Sequence, residues 1–185
     1  MTLLWRVVVT VFAFLGGAAA MADELVDFDP KTTSVVLTTQ EFSGLQPRVA
    51  KRRPLASTPG ATGLEYLVFS DDVRVAVVNH QWAAASPAWP EIDLGKYLAT
   101  VNPDNPVEKK IGAATPYVRG GAAGKLTLFS MQEGTEGMAC VAYDIKAGTD
   151  RLTGFMCVPG AAELSPAEAE RMVSGLGIKG VLPPG

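Results

Sequence analysis

The hydrophobic residues of this chain fall in short runs that are rich in β-branched and aromatic side chains and separated by polar turn residues. This pattern is typical of antiparallel strands. Two of the runs, 63–69 and 73–78, flank Asp71 and Asp72. Asp is favoured in turns for backbone reasons, so the pattern predicts a β-hairpin here.

A second hairpin is predicted around Cys140 and Cys157, the only cysteines of the chain. The link between its two strand-like runs contains Gly148-Thr149, which suits a two-residue turn. In this register Cys140 lies opposite Cys157, so we expect a structural disulfide. The alternative, a labile redox pair, usually has the spacing Cys-x-x-Cys.

Because side chains alternate along a strand, the register sorts the residues of this hairpin into two faces. The face without the cysteines is expected to be core, and the face with them is expected to be the outer one. The expected core pairs are Val141–Met156, Tyr143–Gly154 and Ile145–Leu152.

Two helices are predicted. The segment after the cysteine hairpin has Ser165 as an N-cap, Pro166 at the first helical position and Glu168 to complete a capping box. Between the hairpins, apolar residues at helical spacing predict another helix from Glu91 to Val101.

The remaining strand candidates are 34–39 and 125–131, whereas 46–62 and 102–114 are predicted to be long loops. The sum is an α+β fold. We expect an antiparallel sheet of about five or six strands with one or two packed helices, the C-terminal helix following the disulfide-braced hairpin.

The start of the chain has the pattern of a secretory signal peptide. Arg6 precedes an uncharged apolar run, and cleavage after Ala22 or Ala20 fits the small-x-small rule. The run is shorter than the roughly 20 residues of a membrane span. We therefore expect a signal peptide at 1–22 and a single periplasmic α+β domain at 23–185, secreted or periplasmic, with no transmembrane segment after cleavage.

Composition excludes some classes of function. The 185-residue chain has a formal charge of −3, and this mild acidity argues against nucleic acid as a partner. Paired histidines and free cysteine ligands for zinc are missing from the pattern, so we expect neither a metal site nor a cofactor.

His80 is the only histidine, so a hydrolase of the Ser-His-Asp type would have to use it. A carboxylate such as Asp71 or Asp72 is its candidate partner. The chain has no Gly-x-Ser-x-Gly elbow that would mark a nucleophilic serine. A lone histidine at a strand end is more often an ordinary surface or hydrogen-bonded residue. A non-enzymatic role is therefore preferred, with a small periplasmic hydrolase as the alternative.

The stretch 80–90 holds two of the three tryptophans, Trp82 and Trp89, among alanines and prolines. Tryptophan gives contact area at low entropic cost, so His80, Trp82 and Trp89 are predicted to form a binding surface. The alternative is a loop that its tryptophans pin to the core.

A basic run lies within the predicted loop 46–62. It is interpreted as solvated charge, with contact to anionic lipid heads or an acidic partner as the alternative. Its members are Arg48, Lys51, Arg52 and Arg53.

The C-terminal segment carries Cys140, then Leu-Thr-Gly-Phe-Met-Cys at 152–157, then Leu-Ser-Pro at 164–166. In these residues it resembles the end of small exported alphaproteobacterial proteins of unknown function. The resemblance covers about 40 residues. It implies a periplasmic location and a disulfide-linked hairpin, and it brings no catalytic residue. The function expected from the sequence is an exported, non-enzymatic periplasmic domain that binds a protein or a cell-envelope component.

Overall fold

The structure, a computed structural model, describes residues 25–54, 62–85, 87–100, 108–133, 136–160 and 163–185. The predicted signal peptide at 1–22 and both of its cleavage sites lie outside these residues. Among the helices that are described, none has the length and apolarity needed to cross a membrane.

An eight-stranded antiparallel sheet forms the centre of the described part of the chain. The strands of the described residues are β1 (Val26–Asp27), β2 (Val35–Leu37), β3 (Pro47–Arg53), β4 (Thr62–Ser70), β5 (Val75–Ala83), β6 (Glu108–Arg119), β7 (Ala122–Glu133), β8 (Glu136–Ala147), β9 (Asp150–Pro159) and β10 (Leu176–Ile178). The order in the large sheet is β1-β3-β4-β5-β9-β8-β7-β6. The strands β2 and β10 pair separately as a small antiparallel sheet.

The short α-helices α1 (Leu94–Thr100) and α2 (Pro166–Ser174) pack on opposite faces of the large sheet. Met172 of α2 belongs to the same hydrophobic cluster as Leu67, whereas Leu98 of α1 belongs to the cluster of Val68. Consecutive residues on a strand point to opposite faces. We call the two sides the α2 face and the α1 face. The small sheet also lies on the α2 face, and short 3-10 turns at Pro30–Thr32 and Gln40–Phe42 precede and follow β2.

The predicted α+β fold with five or six strands is wrong, because the protein is mostly β. Two strands of the large sheet, β3 and the first half of β6, lie in the segments 46–62 and 102–114 that were predicted to be loops. Strand β6 is an edge strand with mostly exposed side chains and a proline at 116, which edge strands tolerate. A strand that buries few apolar side chains has no hydrophobic pattern, and β6 takes its place in the sheet by pairing with β7.

The disulfide-braced hairpin is confirmed. Cys140 pairs with Cys157 in the register of β8 and β9, and a disulfide joins them. Gly148 in the turn has a φ of +60°, a conformation that favours glycine. The expectation that the cysteine face is the outer one is wrong, because α1 packs on that side and both cysteines are 0% exposed.

The capped C-terminal helix is also confirmed. In α2 the Ser165 hydroxyl accepts a hydrogen bond from the Glu168 amide, and the Glu168 carboxylate accepts one from the Ser165 amide at 2.8 Å. The predicted hairpin at 63–69 and 73–78 is the pair β4–β5. The helix predicted from Glu91 to Val101 is present as the shorter α1.

Candidate functional site

A cavity of about 600 Å³ lies on the α2 face, where β3, β4, β5 and β9 run side by side. Three charged or polar side chains form its floor. Arg52 on β3 is opposite Glu65 on β4, and Glu65 is opposite His80 on β5. Directly opposite residues in a sheet point to the same face, so the three stand in a row across the strands. We call Arg52, Glu65 and His80 the cavity floor.

The walls of the cavity come from segments that are distant in sequence. On one side lies Thr32–Ser34, and on the other lies the turn that follows β10, with Lys179 and Val181. The Lys179 amide donates to the Ser34 carbonyl at 2.9 Å, which joins the two walls. Asp29 caps the 3-10 turn before Ser34 by accepting from the Lys31 amide at 3.0 Å.

Glu65 is the most heavily hydrogen-bonded group of the floor and is only 2% exposed. Its Oε2 accepts from the Thr33 hydroxyl at 2.8 Å and from the Ser34 hydroxyl at 2.9 Å. Its Oε1 accepts from Nη2 of Arg52 at 2.6 Å and from Nε at 3.1 Å. Burial opposes ionisation of the carboxylate, but the neighbouring His80 ring, Thr33 hydroxyl and Arg52 guanidinium outweigh it and lower its pKa to about 2. Glu65 is therefore a buried anion that its surroundings fully compensate.

His80 is held through both ring nitrogens. Nδ1 lies 2.9 Å from the Ser34 hydroxyl oxygen, and Nε2 lies 2.8 Å from Oδ1 of Asp150. The Trp82 ring lies beside the imidazole, with 5.2 Å between the ring centroids. The three side chains Ser34, His80 and Asp150 thus form a hydrogen-bonded chain with the chemical groups of a serine hydrolase triad.

Two features of Ser34 work against nucleophilic chemistry. A hydroxyl has one proton, and Oε2 of Glu65 competes with His80 for it at the same 2.9 Å. The amide of Ser34 donates to Glu65 and the amide of Val35 donates to the Thr33 hydroxyl. Neither backbone donor beside Ser34 is therefore free to stabilise an oxyanion.

Asp71 and Asp72, the acids predicted to partner His80, are not brought to it. They lie in the β4–β5 turn, where Asp71 accepts from Nε of Arg74 at 2.8 Å. His80 lies five residues along β5, roughly 17 Å from its start at about 3.3 Å per residue. The acids at His80 are Glu65 and Asp150, which the sequence analysis missed.

The predicted hairpin contained a partial signal for one of these acids, because it places Glu65 and His80 on neighbouring strands. The register that pairs Glu65 with His80 comes from the structure. Asp150 had no such signal, because it reaches His80 only through the pairing of β5 with β9, 70 residues later in the chain.

Of the predicted binding surface, the structure brings His80 and Trp82 together in the cavity and places Trp89 on the α1 face. The Trp82 indole covers the backbone of Gly63, where an added Cβ would lie 2.1 Å from it. The Trp89 ring lies 5.9 Å from the guanidinium of Arg151, which is buried and paired with Asp144 at 2.7 Å. That these residues bind a partner stays a prediction.

The basic run predicted to lie in a loop is on β3 instead. Its Arg52 belongs to the cavity floor and stacks on Phe28, with 4.1 Å from the guanidinium to the ring. Lys51 points to the other face, near Asp27 at 3.9 Å. The interpretation of this run as a solvated loop is therefore wrong for Arg52, because Arg52 lies on a strand and forms an ion pair with Glu65 on the neighbouring strand.

No group of three or more His, Cys, Asp or Glu side chains within the described ranges is arranged to hold a metal ion. Comparison of the chain with protein-family models, with curated proteins and with solved structures finds no match.

Proposed function

We propose that this protein is an exported periplasmic domain that binds a cell-envelope component without catalysis, and that the cavity above Arg52, Glu65 and His80 is its binding site. The observation that carries the proposal is the cavity of about 600 Å³ over a floor of compensated charges. This volume is in the range of small-molecule sites, which are mostly pre-formed and place a few polar groups among apolar walls.

The chemistry of the lining supports binding. The floor is held by hydrogen bonds within the protein, so little ordering is needed when a ligand arrives. Trp82, Ile178 and Val181 add apolar surface around it. An aromatic anchor beside fixed polar groups is a common arrangement in binding sites.

The periplasmic location of the protein is also part of the proposal. The Cys140–Cys157 disulfide fits an exported protein, since such bonds persist in oxidising compartments. The periplasm and a signal peptide cleaved after Ala22 or Ala20 come from the sequence pattern. The intact mass of the exported protein tests the signal peptide, and a mass that retains residues 1–20 would contradict it.

A pair of tryptophan variants tests the binding site. We expect Trp82→Ala to lose the component that the wild-type protein captures from a periplasmic extract, because Trp82 lines the cavity. Trp89→Ala is the matched control, since Trp89 lies on the opposite face of the sheet. Loss of capture in W89A alone would place the binding surface elsewhere. Equal midpoint temperatures of thermal unfolding in the two variants would show that the loss of capture is not caused by unfolding.

Hydrolysis is the second candidate, favoured by the hydrogen-bonded chain Ser34–His80–Asp150. In this mechanism the Ser34 oxygen attacks an acyl carbonyl and His80 takes its proton, while Asp150 orients the ring. The ester bond breaks, the leaving alcohol takes the proton, and water then cleaves the acyl-serine.

The test of hydrolysis is turnover of p-nitrophenyl acetate. If the protein is a hydrolase, Ser34→Ala and His80→Ala lose turnover of this ester. Asp71→Asn keeps it. We expect no turnover that depends on Ser34, because Glu65 and the occupied amides disfavour attack. A rate that disappears in S34A would overturn the non-catalytic proposal.

A further inference from the structure

The charged groups around the cavity are not all paired with one another. Arg52 and Glu65 compensate each other on the floor, with 2.6 Å between Nη2 and Oε1. Asp150 is paired with His80 at 2.8 Å. Among the described residues, Lys179 has no carboxylate within ion-pair distance, so it is the charged group of the cavity without an ion-pair partner.

Hydrogen-bond donors are also left over at the cavity. The Lys179 ammonium has three N–H groups, and one of them donates to the Thr33 carbonyl at 2.7 Å. The Arg52 guanidinium donates from Nε and Nη2, and within the described ranges Nη1 has no acceptor. Arg52 is tied to the Thr32 carbonyl at 3.0 Å. The two cations are therefore held by consecutive carbonyls and converge on one segment of the wall.

The acids of the cavity offer little to a cationic ligand. Both oxygens of Glu65 already accept hydrogen bonds from the protein. Asp150 accepts from His80 on Oδ1, and its Oδ2 accepts from the Thr149 hydroxyl at 3.0 Å. Asp150 is also only 7% exposed, so a ligand cation meets carboxylates that are nearly buried and already accept hydrogen bonds, whereas a ligand anion meets donors that are free.

The rest of the lining is apolar. It consists of Pro54, the indole of Trp82, and the side chains of Ile178 and Val181. Val181 is 46% exposed, whereas Ile178 is only 3% exposed, so Val181 presents apolar surface to solvent at the cavity. Burial of such surface by an apolar group is favourable.

From these contacts we infer that the ligand of this cavity is an amphiphilic anion, with a carboxylate or phosphate group between Lys179 and Arg52 and an apolar group against Trp82. The inference rests on the proposed function, since it names the chemical class of the ligand for the same site. The shared chemistry is a single oxyanionic head on a hydrocarbon group.

The test uses four probes and isothermal titration calorimetry of the mature protein. The probes are octanoate, octyl phosphate, octylamine and inorganic phosphate. We expect octanoate or octyl phosphate to bind, and the stronger of the two identifies the head group. Octylamine should not bind, because its head meets Lys179. Inorganic phosphate should bind more weakly than octyl phosphate, because it lacks the apolar group.

Lys179→Ala should weaken binding of the anionic probe by about tenfold or more, the size expected for a lost charge-assisted hydrogen bond. Lys125→Ala is the matched control, because Lys125 lies on the α1 face and pairs with Glu91. Arg52 is not used as the variant, since its removal would leave Glu65 buried without its cation.

Two results would overturn the inference. One is octylamine binding as tightly as octanoate; the other is an octanoate affinity that Lys179→Ala leaves unchanged. Absence of binding by all four probes also refutes the ligand class. The binding proposal itself fails separately, when Trp82→Ala captures the same component as the wild-type protein.

Discussion

At the scale of the residue, Glu65 decides the form of the cavity floor. Its carboxylate accepts hydrogen bonds from Thr33, Ser34 and Arg52, which come from two other segments of the chain. A buried charge of this kind is costly unless each partner is in place, so removal of one partner leaves the other groups uncompensated. Glu65 therefore couples the wall at Thr32–Ser34 to the sheet.

The low pKa of Glu65 makes the stability of the protein depend on pH. Its ordinary value is 4.5, and the folded value is about 2. A carboxyl group whose pKa is lower in the folded state stabilises that state above its ordinary value, and this contribution is lost as the pH falls through the folded value. We expect a contribution on the order of 3 kcal/mol at pH 7 that disappears between about pH 5 and pH 2.

Urea unfolding of the wild-type protein and of Glu65→Gln at several pH values measures this contribution. The variant should be less stable at neutral pH, and the difference should shrink toward pH 2. Glu170→Gln changes an exposed carboxylate on α2 and is the control. The same difference between wild type and E65Q at every pH would contradict the assignment.

At the scale of the element, the hairpin of β8 and β9 is the best-defined piece of the fold. It is buried on both faces, with Tyr143 and Leu152 on the α2 face and Phe155 on the α1 face, all 0% exposed. The Tyr143 hydroxyl donates to the Val77 carbonyl at 2.8 Å and lies over Gly154, where a Cβ would be only 2.7 Å away. A side chain at 154 would break this contact between β8 and β5.

Removal of the disulfide should destabilise the protein without changing its fold. The bond closes a loop between residues separated by 17 positions. In the chain-entropy model a loop of this size contributes about 3 kcal/mol. We expect the double variant Cys140→Ala/Cys157→Ala to lose about that much free energy of unfolding in urea titrations, plus the cost of the smaller side chains under α1.

The far-ultraviolet circular dichroism of this double variant should match that of the wild-type protein, because the paired strands remain. Equal stability of the two proteins would show that the disulfide does not brace the hairpin. A redox role, which was the alternative from the sequence, requires instead two free thiols in protein that is purified without reductant.

For the molecule as a whole, two long-range strand pairings bring the groups of the site together. The strands β3–β5 and β6–β9 are two antiparallel runs, and the last strand of the second run pairs with the last strand of the first. This pairing brings Asp150 to His80. The segment after α2 then returns across the α2 face, where β10 pairs with β2 and brings Lys179 to the cavity.

Arg119 at the end of β6 holds this returning segment. Its guanidinium donates to the carbonyls of Ser174, of Leu176 at 2.7 Å and of Pro183 at 3.1 Å. Hydrogen bonds from a charged group are worth about 1.5–3 kcal/mol each, with large variation. We therefore expect Arg119→Ala to speed hydrogen exchange of the Ile178 and Lys179 amides while the exchange of β8 and β9 stays slow.

Lys110→Ala, which changes an exposed lysine of the same strand, is the control for Arg119→Ala and should leave the exchange at β10 unchanged. Uniform acceleration over the large sheet in R119A would mean that Arg119 supports global stability and not this segment. An unchanged exchange rate at β10 would show that Arg119 does not hold this segment.

The sequence was informative where local chemistry decides the structure. Ser165, Pro166 and Glu168 define the start of α2, and Gly148 with the two cysteines defines the register of the last hairpin. Each depends on residues that are near in sequence or covalently linked. The edge strand β6 and the basic strand β3 had no such signal, because their places depend on partners in the sheet and not on buried apolar side chains.

The same difference between local and long-range interactions applies to the site. Two hairpins, two helix positions and the disulfide follow from local sequence patterns, because turns, caps and side-chain alternation act over a few residues. The contacts of His80 with Glu65, Asp150 and Ser34, and the shared cavity of Lys179 and Trp82, arise only in the folded chain. These groups come from three strands and two connecting segments, and the free energy that brings them together is that of packing the sheet, to which distant parts of the chain contribute jointly.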